Sequence, residues 1–144
     1  MANVGHGKKF EIAKAKLLKS AMKLFLENGY QATKISDITS DAKVDGNAVA
    51  RVFGDKESLV AELVKYVLDT QFKMASEMVK DKSEDPLLLY MTETVLQLYM
   101  AESDERMREM YNTSYTFERS KSIIYETIKG KLEKILKDYI PSYD

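Results

Sequence analysis

Apolar residues recur along most of this chain at the three- and four-residue spacing of an α-helix. The clearest stripe contains Leu17, Ala21 and Phe25, and such a stripe buries one face of a helix. Gly29 follows, where glycine can take the left-handed conformation that ends a helix. Only two prolines and six glycines occur in 144 residues, which argues against disorder. The pattern predicts an all-α fold, with helices at about 9–28, 33–41, 46–53, 56–79, 86–101, 103–111 and 115–139.

The composition restricts where such a chain can work. Apolar residues make up 44% of it, which is enough for a core, and the absence of cysteine excludes disulfides and thiolate metal sites. No apolar run approaches the ~20 residues of a membrane span. The first residues lack the apolar segment of a signal peptide. We therefore expect a cytoplasmic protein with no membrane partner.

Residues suited to catalysis are scarce. The only histidine, His6, lies in what we expect to be a frayed N-terminal tail, without an obvious partner. The acidic pairs Glu84-Asp85 and Asp104-Glu105 lie at predicted helix starts, where they complement the helix dipole. We therefore predict no catalytic site, no metal site and no cofactor.

The charge is divided unevenly along the chain. Residues 1–56 carry a net charge of +4, and the remaining 88 residues carry −5. A basic N-terminal part favours a nucleic-acid-facing end. The same division can also arise as an ordinary fluctuation of surface composition, so charge alone leaves both interpretations open.

Residues 34–53 form a candidate helix-turn-helix motif. Its second helix lies in the stretch VDGNAVARVF, which buries valines and carries mostly small residues on its outer face. The major groove of DNA admits one α-helix, and the second helix of this motif enters it with its N-terminal end first. Small outward residues allow close approach. Lys34 and Lys56 lie at predicted helix starts, where phosphate contacts are natural.

The stretch KLLKSAMKLFLENGYQATKISDITSDAKVDGNAVARVFGDKESLVAELV resembles the N-terminal DNA-binding domain of the TetR family of bacterial transcriptional repressors. The resemblance covers about a third of the chain, and residues beyond about 65 resemble the family only in being helical. The matching features are Leu17-Leu18, Ala21, Leu24-Phe25, Gly29-Tyr30, Thr33, Asp37-Ile38, Ala42, Val44, Val49, Phe53 and Lys56-Glu57-x-Leu59.

The resemblance implies a three-helix DNA-binding domain over 10–56, after a tail over 1–9, and a helical effector-binding domain over 57–144. Members usually continue past the long last helix into two more helices that form most of the dimer interface. We therefore expect 57–144 to be an incomplete regulatory domain, and the protein to be a homodimer if full length.

The resemblance and the side-chain chemistry together indicate which residues contact DNA. Asparagine pairs with adenine, and arginine pairs with guanine or phosphate, which suits Asn47 and Arg51. Exposed helix surface is the alternative for both. The predicted contact positions are Thr33, Lys34, Lys43, Gly46, Asn47, Ala48, Ala50, Arg51 and Lys56.

Several positions depart from the family pattern. The family usually has glycine at Lys43, serine at Asp45 and a tyrosine at Ala50, whose hydroxyl often contacts a phosphate. Alanine cannot make that contact, and Asp45 brings a carboxylate close to DNA. Lys43 and Arg51 could partly offset these losses.

The C-terminal part is rich in methionine and tyrosine, which suit a pocket for a small hydrophobic effector. Ordinary helical core is the alternative. The predicted helix 86–101 is apolar on much of its circumference, so we expect it to be buried on several sides. The candidate pocket residues are Tyr66, Met78, Tyr90, Met91, Tyr99, Met107, Tyr111 and Tyr115.

The resemblance therefore implies a TetR-like transcriptional regulator that binds double-stranded operator DNA, a repressor that a small molecule releases. The departures at Asp45 and Ala50 motivate an alternative, a helical ligand-binding or protein-interaction module with weak or no operator binding. An enzyme is a distant third hypothesis.

Overall fold

A computed structural model describes residues 3–139, and these residues form seven α-helices and no strand. The all-α prediction is therefore confirmed. None of the described helices is long and apolar enough to cross a membrane. The helices are α1 (Asn3–Asn28), α2 (Ile35–Ala42), α3 (Ala48–Val52), α4 (Lys56–Val79), α5 (Pro86–Ser103), α6 (Glu105–Thr116) and α7 (Glu118–Tyr139).

The first three helices pack around one small core. Leu17 and Phe25 of α1 meet Ile38 of α2 and Val49 of α3, and all four are at most 1% exposed. Gly29 follows α1 with φ 84°, the left-handed conformation that its position predicts. The stripe on α1 therefore gathers the two short helices on one side.

Several helix boundaries differ from the predictions; the sixth helix, for example, ends at Thr116 and not near residue 111. The first helix begins at Asn3 and not near residue 9, because adding residues to an existing helix gains a backbone hydrogen bond each time. The third helix begins at Ala48 and not at Gly46. The Asp45 carboxylate accepts the backbone N–H of Asn47 at 2.7 Å, and this bond closes a turn in place of a first helical turn.

Helices α4 to α7 form the second part of the molecule. The long α4 packs against α5 and α7, and α6 reaches back to α1. The carboxylates of Asp55, Asp85 and Asp104 accept backbone N–H groups at the starts of α4, α5 and α6, at 2.7 to 2.9 Å. Asp85 and Asp104 therefore cap α5 and α6 at the helix starts where the sequence predicts acidic residues that complement the dipole.

The expectation that the helix beginning at Pro86 is buried on several sides is wrong. Glu93 is the buried residue of α5, and much of the helix's apolar surface faces outward. The most exposed large apolar side chains of α5 are Met91, Val95, Leu98 and Tyr99, at 55% to 69%. We call these four residues the outer stripe of α5.

Candidate nucleic-acid interface

Three residues share one exposed face around α3. Asn47, Ala50 and Arg51 are exposed, and their spacing of three and four residues aligns them on one side of the helix. We call these three residues the outer face of α3. Behind it, Ala48 and Val49 are at most 1% exposed. The buried side of α3 therefore anchors the helix in the core. Its exposed side carries one long side chain, that of Arg51, next to smaller ones.

Two exposed lysines flank α2, the first helix of the motif. Lys34 precedes α2, and its backbone N–H donates to the Asp37 carboxylate at 2.8 Å while its side chain is exposed. Lys43 follows α2 and is exposed, as is Gly46 in the next turn. The structure therefore leaves Lys34, Lys43 and Gly46 accessible to a large partner.

Lys43 has an unusual backbone conformation. Its φ of 54° and ψ of 49° lie in the left-handed region, and it is the only non-glycine residue between 3 and 139 with positive φ. Side chains with a Cβ atom rarely adopt this conformation, and glycine adopts it freely. This geometry gives a physical reason for the glycine that is usual here in the family that the sequence resembles.

Thr33 and Ala48 do not face outward, contrary to the prediction that they contact DNA. The Thr33 side chain is 2% exposed, and its hydroxyl donates to the Gly29 carbonyl at 2.8 Å. That bond helps hold the connection between α1 and α2. Ala48 belongs to the core behind α3. A small residue suits an inward position against α1 as well as it suits an outward one, so the sequence pattern could not separate the two.

Lys56 also points inward, so the structure does not support its predicted phosphate contact. Its Nζ donates to the Tyr30 carbonyl at 2.7 Å and lies 4.0 Å from the centre of the Tyr30 ring. Burial lowers the pKa of the Lys56 ammonium from its ordinary value. Lys56 therefore joins the start of α4 to the segment after α1.

An ion pair that the sequence analysis did not predict crosses the outer face of α3. Arg51 Nη1 lies 2.6 Å from Asp45 Oδ2, and both side chains are more than half exposed. The backbone N–H of Asn47 and then the Arg51 guanidinium lower the pKa of the Asp45 carboxyl. Asp45 and Arg51 are six residues apart, which is not the three- or four-residue spacing of neighbours on a helix. The turn at Gly46 brings the two side chains together, so the sequence pattern could not predict this contact.

The predicted pocket residues are divided between surface and interior. Tyr66, Met78, Met91, Tyr99 and Tyr115 are 49% to 69% exposed and do not line a described cavity. Met107 and Tyr111 line a cavity of about 40 Å³ beside Phe25 and Tyr30. Tyr90 lines a second cavity of about 150 Å³ between α4, α5 and α7. The effector pocket predicted from composition therefore stays a prediction, and three of its eight residues line a described cavity.

Comparison with known proteins supports the interpretation of the N-terminal helices. The family described as bacterial regulatory proteins, tetR family, matches residues 17–63. The HTH-type transcriptional regulator HbdR of Aromatoleum sp. (strain CIB) is 41% identical over 54 residues, which are 38% of this chain and 24% of that protein. No solved structure matches the chain.

A second relative matches a longer stretch at lower identity. The uncharacterized HTH-type transcriptional regulator YuxN of Bacillus subtilis (strain 168) is 30% identical over 74 residues, which are 51% of this chain and 25% of that protein. The matched stretch thus spans about a quarter of the length of each of these relatives.

Proposed function

Residues 17–63 match the tetR family of bacterial regulatory proteins, and from this match we propose that the protein is a cytoplasmic DNA-binding transcriptional regulator of that family. It acts as a repressor, and a small molecule bound among α4 to α7 releases it from its operator. The outer face of α3 carries the proposal. Asn47 and Arg51 are exposed there beside a small Ala50, on a helix that Val49 fixes to the core.

Charge and shape both suit a major groove. Lys34 and Lys43 place two cations at the ends of α2, where they can contact phosphates on either side of the groove. Arg51 and Asn47 are the residues that can read base edges. Ala50 adds no bulk between them, so the α3 backbone can approach the bases closely.

The regulator works as a dimer in this proposal. Two copies of α3 would contact half-sites about 34 Å apart, one turn of DNA. The outer stripe of α5 supports self-association, because four large apolar side chains exposed together on one helix are unusual for a monomer surface. Tyr125, Leu132 and Leu136 are likewise 40% to 63% exposed on α7.

Contacts between the two parts of the molecule offer a route from effector to DNA. The rings of Phe25, Tyr30 and Phe117 form two edge-to-face pairs, with centroids 5.3 Å and 5.6 Å apart. Lys14 of α1 lies 3.0 Å from Glu62 of α4. A ligand that binds one arrangement of these helices more tightly than the other would shift the spacing of the two α3 helices.

Selection of bound fragments from random-sequence DNA tests the proposal. The wild type is compared with Arg51→Ala and Asn47→Ala, and Lys73→Ala on α4 serves as an exposed control that also loses a cation. We expect the wild type and the Lys73→Ala control to enrich an inverted repeat. Arg51→Ala and Asn47→Ala should enrich the same repeat only weakly. A dimeric wild-type sample that enriches no sequence would overturn the proposal.

One observation favours a second candidate function. Asp45 places a carboxylate beside the outer face of α3 and already holds Arg51, so the same fold could serve as a ligand-binding or protein-interaction module with little operator binding. Salt dependence separates the two functions. A sequence-reading regulator loses affinity steeply as salt rises and still prefers its operator to random DNA by a factor of about 10³ or more.

A further inference from the structure

The second cavity has a polar wall that the hydrophobic pocket predicted from sequence did not include. It measures about 150 Å³ and lies between α4, α5 and α7. Glu93 of α5 and Lys131 of α7 line it together with the apolar parts of Phe72, Tyr90 and Ile128. The cavity therefore combines aromatic and aliphatic walls with a charged pair.

Glu93 is the unusual member of this wall. The residue is 8% exposed, and its Oε2 accepts from Lys131 Nζ at 2.6 Å. Its other oxygen, Oε1, is buried and has no hydrogen-bond partner among residues 3–139. A buried carboxylate oxygen without a donor is costly, and most such atoms in proteins are satisfied. A donor from a bound molecule would remove that cost.

The charges around the cavity favour a cation over an anion. Lys131 is already engaged with Glu93, and its ammonium also lies against the Phe72 ring. Asp69 of α4 acts electrostatically on the same ammonium. Asp69 is exposed and does not line the cavity, so Glu93 is the carboxylate at its wall. Lys131 is the cation of the lining and is already paired, which leaves no free cation there for an anionic ligand. Burial raises the pKa of Glu93 and lowers that of Lys131, so a second cation would favour the ionised carboxylate.

We propose that this cavity binds a small amphipathic amine, whose ammonium donates to Glu93 Oε1 while its apolar part packs against Phe72, Tyr90 and Ile128. Binding of the amine does not depend on the proposed function. Only the consequence of binding rests on it, because under that function the amine belongs to the class of effectors that release the protein from DNA. A cavity of about 150 Å³ is large enough for a benzene-sized ring. Charge-assisted hydrogen bonds are about twice as strong as neutral ones, so the charged donor sets the specificity.

Calorimetric titration of the full chain with benzylammonium, benzyl alcohol and benzoate tests this inference. These probes share one ring and differ in charge. We expect benzylammonium to bind tightest and benzoate to bind least. Glu93→Gln keeps the shape and an acceptor for Lys131, and we expect it to weaken benzylammonium binding by about tenfold or more and to leave benzyl alcohol unchanged. Equal binding of the amine and the alcohol, or of the amine to both proteins, overturns the proposal.

A second variant keeps the test decisive if Glu93→Gln does not fold. Thr94 lines the cavity and is exposed, so Thr94→Tyr narrows the space without removing the carboxylate. We expect this variant to lose benzylammonium binding, with an unchanged far-ultraviolet circular dichroism spectrum. Undiminished binding to Thr94→Tyr would place the amine elsewhere and overturn the proposal.

A DNA measurement separates this inference from the proposed function. Benzylammonium is added to the protein bound to its selected DNA. Amine binding that leaves DNA affinity unchanged supports the cavity assignment and contradicts effector-driven release. Amine binding together with DNA release supports both. Failure of the DNA selection leaves the binding measurement intact, because the titration uses protein alone.

Discussion

Asp45 and Arg51 form an ion pair across the outer face of α3, with 2.6 Å between Oδ2 and Nη1. The other carboxylate oxygen of Asp45 accepts the backbone N–H of Asn47 at 2.7 Å. One acidic side chain therefore shapes the turn before α3 and also restrains Arg51, the arginine that we propose reads a base. For the proposed DNA binding, Asp45 has opposing effects. The turn that it stabilises positions α3, which favours binding, while its negative charge repels phosphates.

Asp45→Asn separates the two effects of this carboxylate. The amide oxygen can still accept the Asn47 N–H, but the negative charge is lost and Arg51 is released. We expect binding to a random-sequence duplex to tighten by a factor of about 3 to 10 at low salt, with the gain shrinking as salt rises. Fluorescence anisotropy with a labelled duplex measures this. The stability of the fold should hardly change, because exposed ion pairs contribute little.

Asp81→Asn is the control for that measurement. Asp81 is exposed in the segment between α4 and α5, away from α3, and the substitution removes the same charge. We expect no change in DNA affinity beyond a small effect of net charge. If Asp45→Asn behaves like Asp81→Asn, the Asp45 carboxylate does not influence DNA binding.

The structure predicts different roles for Lys34 and Lys56, although the sequence pattern predicts a phosphate contact for both. Lys34→Met removes an exposed cation and should lower the slope of log affinity against log salt by about 1. Lys56→Met removes the bond to the Tyr30 carbonyl and the contact with its ring. It should lower the free energy of unfolding by about 1–2 kcal/mol and leave the salt slope unchanged.

Salt titrations of DNA binding and urea unfolding of both variants check this pair of expectations. The two substitutions are matched in size and charge, so each serves as the control for the other. A reduced salt slope for Lys56→Met, without loss of stability, would show that this lysine turns outward on DNA.

The contrast between these lysines shows what the sequence could and could not predict. Helical periodicity predicted the all-α fold because burying one face of each helix requires that spacing. It could not place Lys56, because a long side chain at a helix start can reach phosphate or fold back on a neighbouring ring. The Asp45–Arg51 pair depends on the turn at Gly46, and turn geometry has no such period.

The cavities show the same limit. Tyr90 and Met91 are adjacent in sequence, and both suit an apolar pocket, yet Tyr90 lines a cavity and Met91 is 55% exposed. Since α5 carries apolar residues on several sides, its pattern did not identify the inward face. Glu93 was missed because an acidic residue usually indicates a solvent-facing position, and here the partner Lys131 on α7 makes burial possible.

Lys43→Gly should stabilise the protein. Lysine at φ 54° has the strain of a Cβ atom in the left-handed region, and glycine relieves it. Glycine also makes the unfolded chain more flexible, which offsets part of the gain. We expect the free energy of unfolding to rise by about 0.5–1 kcal/mol. Urea unfolding measures this, with Lys43→Ala as the control that loses the charge but keeps the strain. Equal stability of the two variants would contradict the strain argument.

Asp55 gives a pH-dependent contribution to stability at the start of α4. Its carboxylate accepts the Ser58 backbone N–H at 2.7 Å, and this bond is the largest cause of the lowered pKa of Asp55. A pKa that is lower in the folded than in the unfolded chain stabilises the fold above the ordinary carboxyl pKa. The contribution is lost as the pH falls through the folded pKa.

Two variants at this position test the cap and its ionisation separately. Asp55→Ala removes the cap, and we expect it to lower the free energy of unfolding by about 1 kcal/mol at neutral pH. Asp55→Asn keeps an acceptor that does not titrate. The difference between wild type and Asp55→Ala should therefore stay constant from about pH 7 to about pH 5 and begin to shrink towards about pH 3, while the difference between Asp55→Asn and Asp55→Ala stays constant throughout. Urea unfolding of the three proteins across this range measures both differences, and a constant wild-type difference would show that ionisation of Asp55 does not contribute to stability.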